Sequence, residues 1–154
     1  MEIHKILIVE DNLILGSTLK DYFEDNYFDV IHVASGKEAL YIYKNEKPSI
    51  VLLDVKLPDI SGFEVIEEIH KTDTLTPVIM MTGTEYDVDS QVNGYHNGAT
   101  NYLRKSVIPQ VILAQINTLL NPPNTKLFNL GGYTITNQNR EVKINDDLYT
   151  LSKK

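Results

Sequence analysis

The sequence contains no cysteine, and this absence excludes several classes of site at once. Without thiols the chain can form no disulfide bond, no thiolate zinc site and no cysteine nucleophile. Long hydrophobic runs are also absent, because no apolar stretch approaches the roughly 20 residues that a membrane-spanning helix needs. The first residues pass directly into a strand-like run without a signal-peptide pattern. We therefore expect a soluble, cytoplasmic protein with no membrane partner.

Positive charge is scarce in the longer part of the chain. Residues 1–121 carry 9 Lys and Arg against 18 Asp and Glu, whereas residues 122–154 carry 5 against 3. Because phosphate neutralisation supplies most of the non-specific affinity for nucleic acid, the acidic part is a poor candidate for binding DNA by itself. The histidines are scattered without the spacing of a metal site, and we interpret them as surface or strand residues: His4, His32, His70 and His96.

The sequence does contain a regular alternation of short apolar runs and amphipathic segments. The apolar runs predict five strands, at 5–9, 28–34, 50–54, 77–81 and 101–104. Helical spacing, with capping boxes that start at Ser35 and Ser61, predicts helices over about 13–22, 36–44, from 62 onward, 87–97 and 109–120. Five alternations of strand and helix predict an α/β fold in which helices cover both faces of a parallel sheet.

Polar side chains follow the predicted strands at the points where the strands end. The third strand is apolar on both faces and delivers the carboxylate of Asp54, while Glu10 and Asp11 follow the first strand. The fourth strand delivers Thr82 and the fifth delivers Lys105. Because ligands of such sheets bind outside the carboxyl ends of the strands, we expect these side chains to form one site.

Three converging carboxylates repel each other, and a hard divalent cation with oxygen ligands relieves that repulsion best. Magnesium fits this description, since it binds one or two carboxylates together with waters and a phosphate. Asp54 could then act as a nucleophile toward a phosphoryl group, as aspartate does where aspartyl phosphates form. Lys105 would neutralise phosphoryl oxygens and the Thr82 hydroxyl would donate a hydrogen bond to one of them.

The order and spacing of these residues resemble a response-regulator receiver domain of bacterial two-component signalling. The matching segments are 10–11, 52–58, Thr82 and 98–105, and the resemblance covers essentially all of residues 1–121. It implies a doubly wound, flavodoxin-like sheet of five parallel strands in the order 2-1-3-4-5. Residues 1–121 are accordingly predicted to form the receiver domain.

The same resemblance implies a role for each residue of the site. Asp54 would accept a phosphoryl group from a histidine of a partner sensor kinase, with Lys105 and Thr82 completing the catalytic set. Mg would have four ligands: Glu10, Asp11, Asp54 and the backbone carbonyl of Lys56. Such a chain is a phosphorylation-dependent response regulator and not an enzyme, beyond Mg-dependent self-phosphorylation and autodephosphorylation.

The family also implies a switch that carries the signal away from the site. Phosphorylation adds about −1.5 to −2 charges, which would draw in the Thr82 hydroxyl and let the aromatic ring of Tyr102 rotate inward. A homodimer could form through the fourth predicted helix, the fifth strand and the fifth helix. The usual charged contacts of that dimer are in doubt, because Thr100, Asn101 and Gln115 stand at positions that are commonly charged.

One further departure lies beside the lysine of the site. Ser106 stands where the family usually has a proline after the lysine, so we do not expect the usual cis peptide bond, which is rare without proline. Lys105 would then be aimed less firmly than in other members of the family.

The remaining residues predict a linker at 122–126 and part of a second domain at 127–154. Short strand-like runs occur at 126–130, 133–136, 140–144 and 148–151, separated by residues typical of turns. They resemble the antiparallel β-meander that begins the winged-helix domain of OmpR/PhoB-like transcription factors, truncated before the helix-turn-helix. We therefore expect no specific DNA binding by this chain, and DNA as a partner only in a longer parent protein.

Three other functions remain open alternatives. The first is a receiver-like protein-interaction module that works without phosphate, against which the complete set of site residues argues. The second is a haloacid-dehalogenase-type phosphohydrolase, which would have a second Asp where Lys56 stands. The third is a flavin carrier, which would need a Gly-rich phosphate loop after the first strand, where Glu10 and Asp11 would repel phosphate.

Overall fold

The computed structural model describes residues 3–83 and 98–121, together with the backbone of three short strands between 133 and 150. The chain divides into two compact units, Met1–Ala114 and Gln115–Lys154, which are described separately below. Within the described residues, no helix has the length and apolar character needed to cross a membrane. Three predicted segments lie outside the described residues: the helix at 87–97, the linker at 122–126 and the run at 126–130.

A five-stranded parallel sheet forms the first unit, and its strands are β1 (Lys5–Val9), β2 (Asp29–Val33), β3 (Ile50–Asp54), β4 (Val78–Thr82) and β5 (Asn101–Arg104). The order is β2-β1-β3-β4-β5 and every neighbouring pair is parallel, which confirms the predicted α/β architecture. The fourth strand ends one residue later than predicted. Thr82 therefore belongs to β4, where it pairs with Arg104.

The described residues contain four helices, which are α1 (Leu13–Asp25), α2 (Gly36–Glu46), α3 (Gly62–His70) and α4 (Pro109–Leu120). Both predicted serine caps are present: Ser35 Oγ accepts from the N–H of Glu38 at 3.2 Å, and Ser61 Oγ accepts from the N–H of Phe63 at 3.1 Å. The first helix runs to residue 25 instead of about 22. The additional residues include Phe23, which is completely buried.

Strand β3 is the centre of the core, because all five of its residues are buried. Alternate residues point to opposite faces of the sheet. Val51 and Leu53 belong to a cluster that includes Val65, Ile66 and Ile69 of α3. Helix α1 packs against β1 and β2 and buries Leu19 and Phe23, which are not members of that cluster. Burial on both faces is the reason that the central strands are continuously apolar.

The second unit contains three short strands, β6 (Tyr133–Thr136), β7 (Glu141–Ile144) and β8 (Asp147–Thr150). They form an antiparallel sheet in the order β6-β7-β8. The assignment of residues 127–154 to part of a winged-helix domain, and the predicted boundaries of the receiver and the linker, stay predictions.

Candidate functional site

The site lies where the chain order of the sheet reverses. Strands β1 and β3 are neighbours, and the chain leaves β1 toward β2 on one side before it returns to β3 on the other. Parallel sheets form a crevice at such a reversal, beside the carboxyl ends of the two strands. Glu10 and Asp11 follow β1 directly and Asp54 is the last residue of β3. The fold thus brings together the three carboxylates that the sequence singled out.

These three carboxylates form a tight acidic cluster. One oxygen from each of Glu10, Asp11 and Asp54 lies within 4.8 Å of the others. Glu10 and Asp54 are each only 4% exposed, whereas Asp11 is exposed to solvent. Two buried carboxylates at this separation disfavour each other's ionised form unless a cation lies between them.

Lys105 supplies such a cation. Its Nζ donates to Glu10 Oε1 at 2.8 Å and to Asp54 Oδ2 at 2.8 Å. The lysine is held at the edge of the sheet by its own backbone, because its N–H donates to the carbonyl of Thr82 at 2.7 Å. The peptide bond between Lys105 and Ser106 is trans, as expected without a proline. The structure therefore brings Lys105 and Thr82 to the same edge as the acidic cluster.

The pKa of Asp54 reflects this balance of charges. Burial raises its pKa to about 6, and the negative charge of Glu10 acts in the same direction, while the hydrogen bond and charge of Lys105 oppose them. Burial alone would lower the pKa of Lys105, but its hydrogen bonds to Asp54 and Glu10 outweigh burial and raise the pKa above its usual value. The ammonium is thus firmly charged, yet one ammonium does not fully compensate two buried carboxylates.

The loop after β3 fixes the backbone around Asp54. The N–H of Lys56 donates to Asp54 Oδ1 at 3.2 Å, so Lys56 reaches the site through its main chain. Gly62 opens α3 and donates its N–H to the carbonyl of Val55 at 2.9 Å. A Cβ atom on Gly62 would lie 2.2 Å from the carbonyl oxygen of Asp54. Only glycine permits this close approach, a role that the sequence interpretation missed although the glycine follows a clear helix cap.

Asp59 ties the same loop to the start of α2, and the sequence interpretation also missed this residue. Its two carboxylate oxygens accept from the N–H groups of Gly36 and Lys37, each at 2.9 Å. The hydrogen bond from the N–H of Lys37, together with that from Gly36, lowers the pKa of Asp59 to about 2 and outweighs the opposing effect of burial. The carboxylate acts as a second cap beside Ser35, because a helix N-terminus favours negative charge. A distant Asp with no helical spacing gives no sequence signal for such a cap.

Tyr102 lies in the core and is 7% exposed. The register pairs Met80 with Tyr102 and Thr82 with Arg104, so Thr82 and Tyr102 lie on the same face of the sheet, diagonally across neighbouring strands. This proximity is what a relay from Thr82 to Tyr102 would need. The relay itself stays a prediction.

A cavity of about 590 Å³ lies away from these residues, between the carboxyl-terminal parts of α2 and α3. Its lining includes Leu40, Pro48, Ile69 and two hydrogen-bonded residues, Tyr43 and Asp73. None of the candidate site residues lines this cavity. The charged groups identify the edge of the sheet as the candidate site.

Comparison with known proteins agrees with this geometry. A family model described as the response regulator receiver domain matches residues 6–117. The transcriptional regulatory protein CiaR of Streptococcus pneumoniae is 32% identical over 145 residues, which cover 92% of this chain and 64% of that protein. The alkaline phosphatase synthesis transcriptional regulatory protein PhoP of Bacillus subtilis is 33% identical over 116 residues, which cover 75% of this chain and 48% of that protein.

The fold has a counterpart among solved structures as well. The crystal structure of a CheY-like response regulator receiver domain protein from Methanospirillum hungatei superposes with a TM-score of 0.75 and 32% sequence identity. The superposition covers 78% of this chain and 95% of that one. The chain spans 48% of the length of PhoP and 64% of the length of CiaR, so these two relatives are considerably longer.

Proposed function

This chain belongs to the response regulator receiver domain family of two-component signalling, and from that premise we propose that Asp54 accepts a phosphoryl group from a histidine kinase. The observation that carries the proposal is the convergence of three carboxylates and Lys105 at the carboxyl ends of β1, β3 and β5. A domain of this family signals through phosphorylation, and Asp54 is the most deeply buried carboxylate of the cluster together with Glu10.

The donor set fits a magnesium ion. Glu10, Asp11 and Asp54 offer three carboxylate oxygens within 4.8 Å of one another, and hard oxygen ligands are what this cation prefers. We propose these three side chains and the backbone carbonyl of Lys56 as its ligands. When bound, the ion would supply positive charge that offsets the carboxylates and the incoming phosphoryl oxygens.

The chain's own residues can perform the remaining parts of the transfer. A lone pair on an Asp54 oxygen forms the new P–O bond while the P–N bond of the donor phosphohistidine breaks, and the electrons of that bond go to the imidazole nitrogen. Lys105 is close enough to exchange one of its carboxylate partners for a phosphoryl oxygen. The Thr82 hydroxyl, at the end of β4, would donate to another.

The signal would leave the site through β4 and β5. Thr82 and Tyr102 share one face of the sheet, and movement of the Thr82 side chain toward the phosphoryl group would change the packing of the Tyr102 ring. Hydrogen exchange of the β5 backbone, measured with and without a phosphodonor, tests this step. We expect exchange to change on phosphorylation in the unmodified chain and not in Thr82→Ala. Equal changes in both proteins would contradict the relay.

Incubation with Mg²⁺ and acetyl phosphate, followed by intact-mass measurement, tests the phosphoacceptor. We expect one phosphoryl adduct on the unmodified chain, and none on Asp54→Asn or after chelation of the metal. Asp73→Asn is the matched control, because it removes a carboxylate that lies outside the acidic cluster and accepts hydrogen bonds from Thr76 and Tyr43. Absence of any adduct on the unmodified chain would overturn the proposal and favour a receiver-like module that works without phosphate.

We further propose that the phosphorylated domain controls a DNA-binding output within a longer protein. CiaR and PhoP are both named as transcriptional regulators, and this chain spans only part of their length. Control would pass through a homodimer formed by the helix predicted at 87–97, β5 and α4. Light scattering with and without beryllofluoride tests dimerisation: a doubling of mass supports the dimer, and an unchanged monomer contradicts it.

A further inference from the structure

His32 contacts the acidic turn from the neighbouring strand. It lies on β2, where it pairs with Ile8 of β1, and its ring nitrogen Nε2 lies 2.7 Å from the backbone carbonyl oxygen of Glu10. A carbonyl oxygen can only accept, so Nε2 carries the hydrogen and donates it. His32 was interpreted from the sequence as an ordinary strand residue. The structure gives it a contact one residue away from Asp11.

We define the acidic turn as residues Glu10 to Asn12. Both backbone polar groups of Glu10, its N–H and its carbonyl oxygen, form hydrogen bonds with β2. The N–H of Glu10 donates to the carbonyl of Val33 at 3.0 Å, and the carbonyl of Glu10 accepts from His32. The N–H of Asn12 donates to Glu10 Oε1 at 3.1 Å, and the side chain of Asn12 caps α1. The peptide group that connects Glu10 to Asp11 therefore has its oxygen fixed by an imidazole from another strand.

We propose that His32 is a positioning residue that holds the acidic turn in the arrangement needed to bind a divalent cation. The inference rests on the proposed function, in which Glu10 and Asp11 are ligands. Asp11 is exposed, and the charges of Glu10 and Asp54 repel its carboxylate. Its side chain stays near the other two because its backbone is anchored, and His32 anchors the peptide oxygen directly before it.

Helix α1 is shaped to accept the His32 ring. A Cβ atom on Gly16 would lie 2.1 Å from the Cε1 and Nε2 atoms of His32, closer than any side-chain carbon can approach. The N–H of Gly16 in turn donates to the carbonyl of Asn12 at 2.9 Å. The absence of a side chain at Gly16 therefore makes the space in which the imidazole reaches Glu10. Gly16→Ala provides an independent way to displace the ring without changing the ring itself.

The test measures Mg²⁺ affinity by calorimetric titration, without any phosphodonor, in four single variants of the whole chain and one double variant. His32→Phe keeps a planar ring but cannot donate, and we expect it to weaken Mg²⁺ binding about tenfold, the lower end for residues that orient metal ligands. His32→Gln restores a side-chain N–H donor and should recover most of that loss. His4→Phe is the matched control, because His4 lies at the opposite end of the sheet beside Ser49 and should bind as the unmodified chain does.

Gly16→Ala tests the same contact without changing the imidazole, and it serves as the second test if His32→Phe fails to fold. It should weaken Mg²⁺ binding similarly, and combining it with His32→Phe should add little, because both changes break the same contact. Mg²⁺ binding by His32→Phe and Gly16→Ala at the unmodified affinity would overturn this inference alone. An unmodified chain that binds no Mg²⁺ would overturn the proposed function and this inference together.

Discussion

Asp54 and Asp73 are two carboxylates in opposite electrostatic situations. Asp54 lies in the acidic cluster, where burial raises its pKa to about 6. Asp73 lies after α3, where it accepts hydrogen bonds from Thr76 Oγ1 at 2.6 Å, the Tyr43 hydroxyl, and the N–H of Leu75 at 2.9 Å. Hydrogen bonds from Thr76 and Tyr43 hold the pKa of Asp73 well below its ordinary value. Asp54 therefore has too few hydrogen-bond donors and positive charges around it to stabilise its ionised form, whereas Asp73 accepts hydrogen bonds from several neighbouring groups.

This contrast separates a structural carboxylate, Asp73, from the proposed phosphoacceptor, Asp54. Asp73 gains nothing from a new positive partner, because its oxygens already accept several hydrogen bonds that join α2 to the loop before β4. Asp54 shares the single ammonium of Lys105 with Glu10, so its charge is stabilised further by a bound cation. The proposed phosphorylation site therefore lies in the acidic cluster at the edge of the sheet and not in the cavity beside Asp73.

The largest expected difference between the two aspartates is in phosphoryl uptake. Asp54→Asn should abolish the phosphoryl adduct, because an amide oxygen is a poor nucleophile. Asp73→Asn should keep the rate of uptake close to that of the unmodified chain. Quantified intact-mass time courses with acetyl phosphate and Mg²⁺ check both variants. An adduct that persists in Asp54→Asn and disappears in Asp73→Asn would reverse the assignment.

The free energy of unfolding should depend more on Asp73 than on Asp54, which is the reverse of the order expected for phosphoryl uptake. Asp73→Ala leaves several hydrogen-bond donors without their acceptor and should lower the free energy of unfolding by about 3 kcal/mol. Since the folded-state pKa of Asp73 is depressed, its contribution is present at neutral pH and is lost as the pH falls below the ordinary value of 3.8. Urea unfolding at neutral and at acidic pH checks this. A deficit that does not shrink in acid would contradict the ionic origin of the stabilisation.

The ionised carboxylate of Asp54 lowers the stability of the fold, whereas that of Asp73 raises it. The folded-state pKa of Asp54 is raised from 3.8 to about 6, so its protonated form favours folding, and that contribution disappears as the pH rises through about 6. In the absence of divalent cations, Asp54→Asn should therefore raise the free energy of unfolding at neutral pH by about 2 kcal/mol. The gain should vanish below the ordinary pKa. A loss of stability at neutral pH would show that Lys105 compensates Asp54 fully.

The smallest expected effect concerns the Tyr43 hydroxyl. Burial, together with the hydrogen bond to Asp73, raises the pKa of Tyr43 to about 12. Tyr43→Phe removes one donor to Asp73 while Thr76 remains, so we expect a loss of about 1 kcal/mol in stability and no change in phosphoryl uptake. Thermal unfolding and the mass assay check the two parts. Slower uptake in Tyr43→Phe would mean that the two regions are coupled.

Most of the fold could be predicted from the sequence, because buried parallel strands leave continuous apolar runs. The strand order was implied by the family resemblance, and the reversal beside β1 and β3 explains why Glu10, Asp11 and Asp54 meet. Thr82 and Lys105 also reach the predicted edge. Element ends were less predictable: α1 extends to Asp25 because tertiary burial of Phe23 continues the helix.

The contacts that support the site could not be predicted from spacing. His32 contacts Glu10 through 22 residues of sequence separation, and Asp59 caps α2 from the loop after β3. Gly62 is required by the approach of α3 to the Asp54 carbonyl, which exists only once the sheet has formed. Long-range contacts of this kind leave no local periodicity. The candidate site residues could be proposed from the sequence, whereas the residues that contact and position them required the three-dimensional structure.

The most direct test of the contrast between the two aspartates is a carboxyl-carbon NMR titration of the metal-free protein, with Asp54 and Asp73 assigned by their Asn variants. We predict that the pKa of Asp54 is near 6 and that the pKa of Asp73 lies below the ordinary value of 3.8. We also predict that added Mg²⁺ lowers the pKa of Asp54 and leaves that of Asp73 unchanged. Titration of Asp54 at or below the ordinary value, in the absence of metal, would contradict the contrast between the two aspartates.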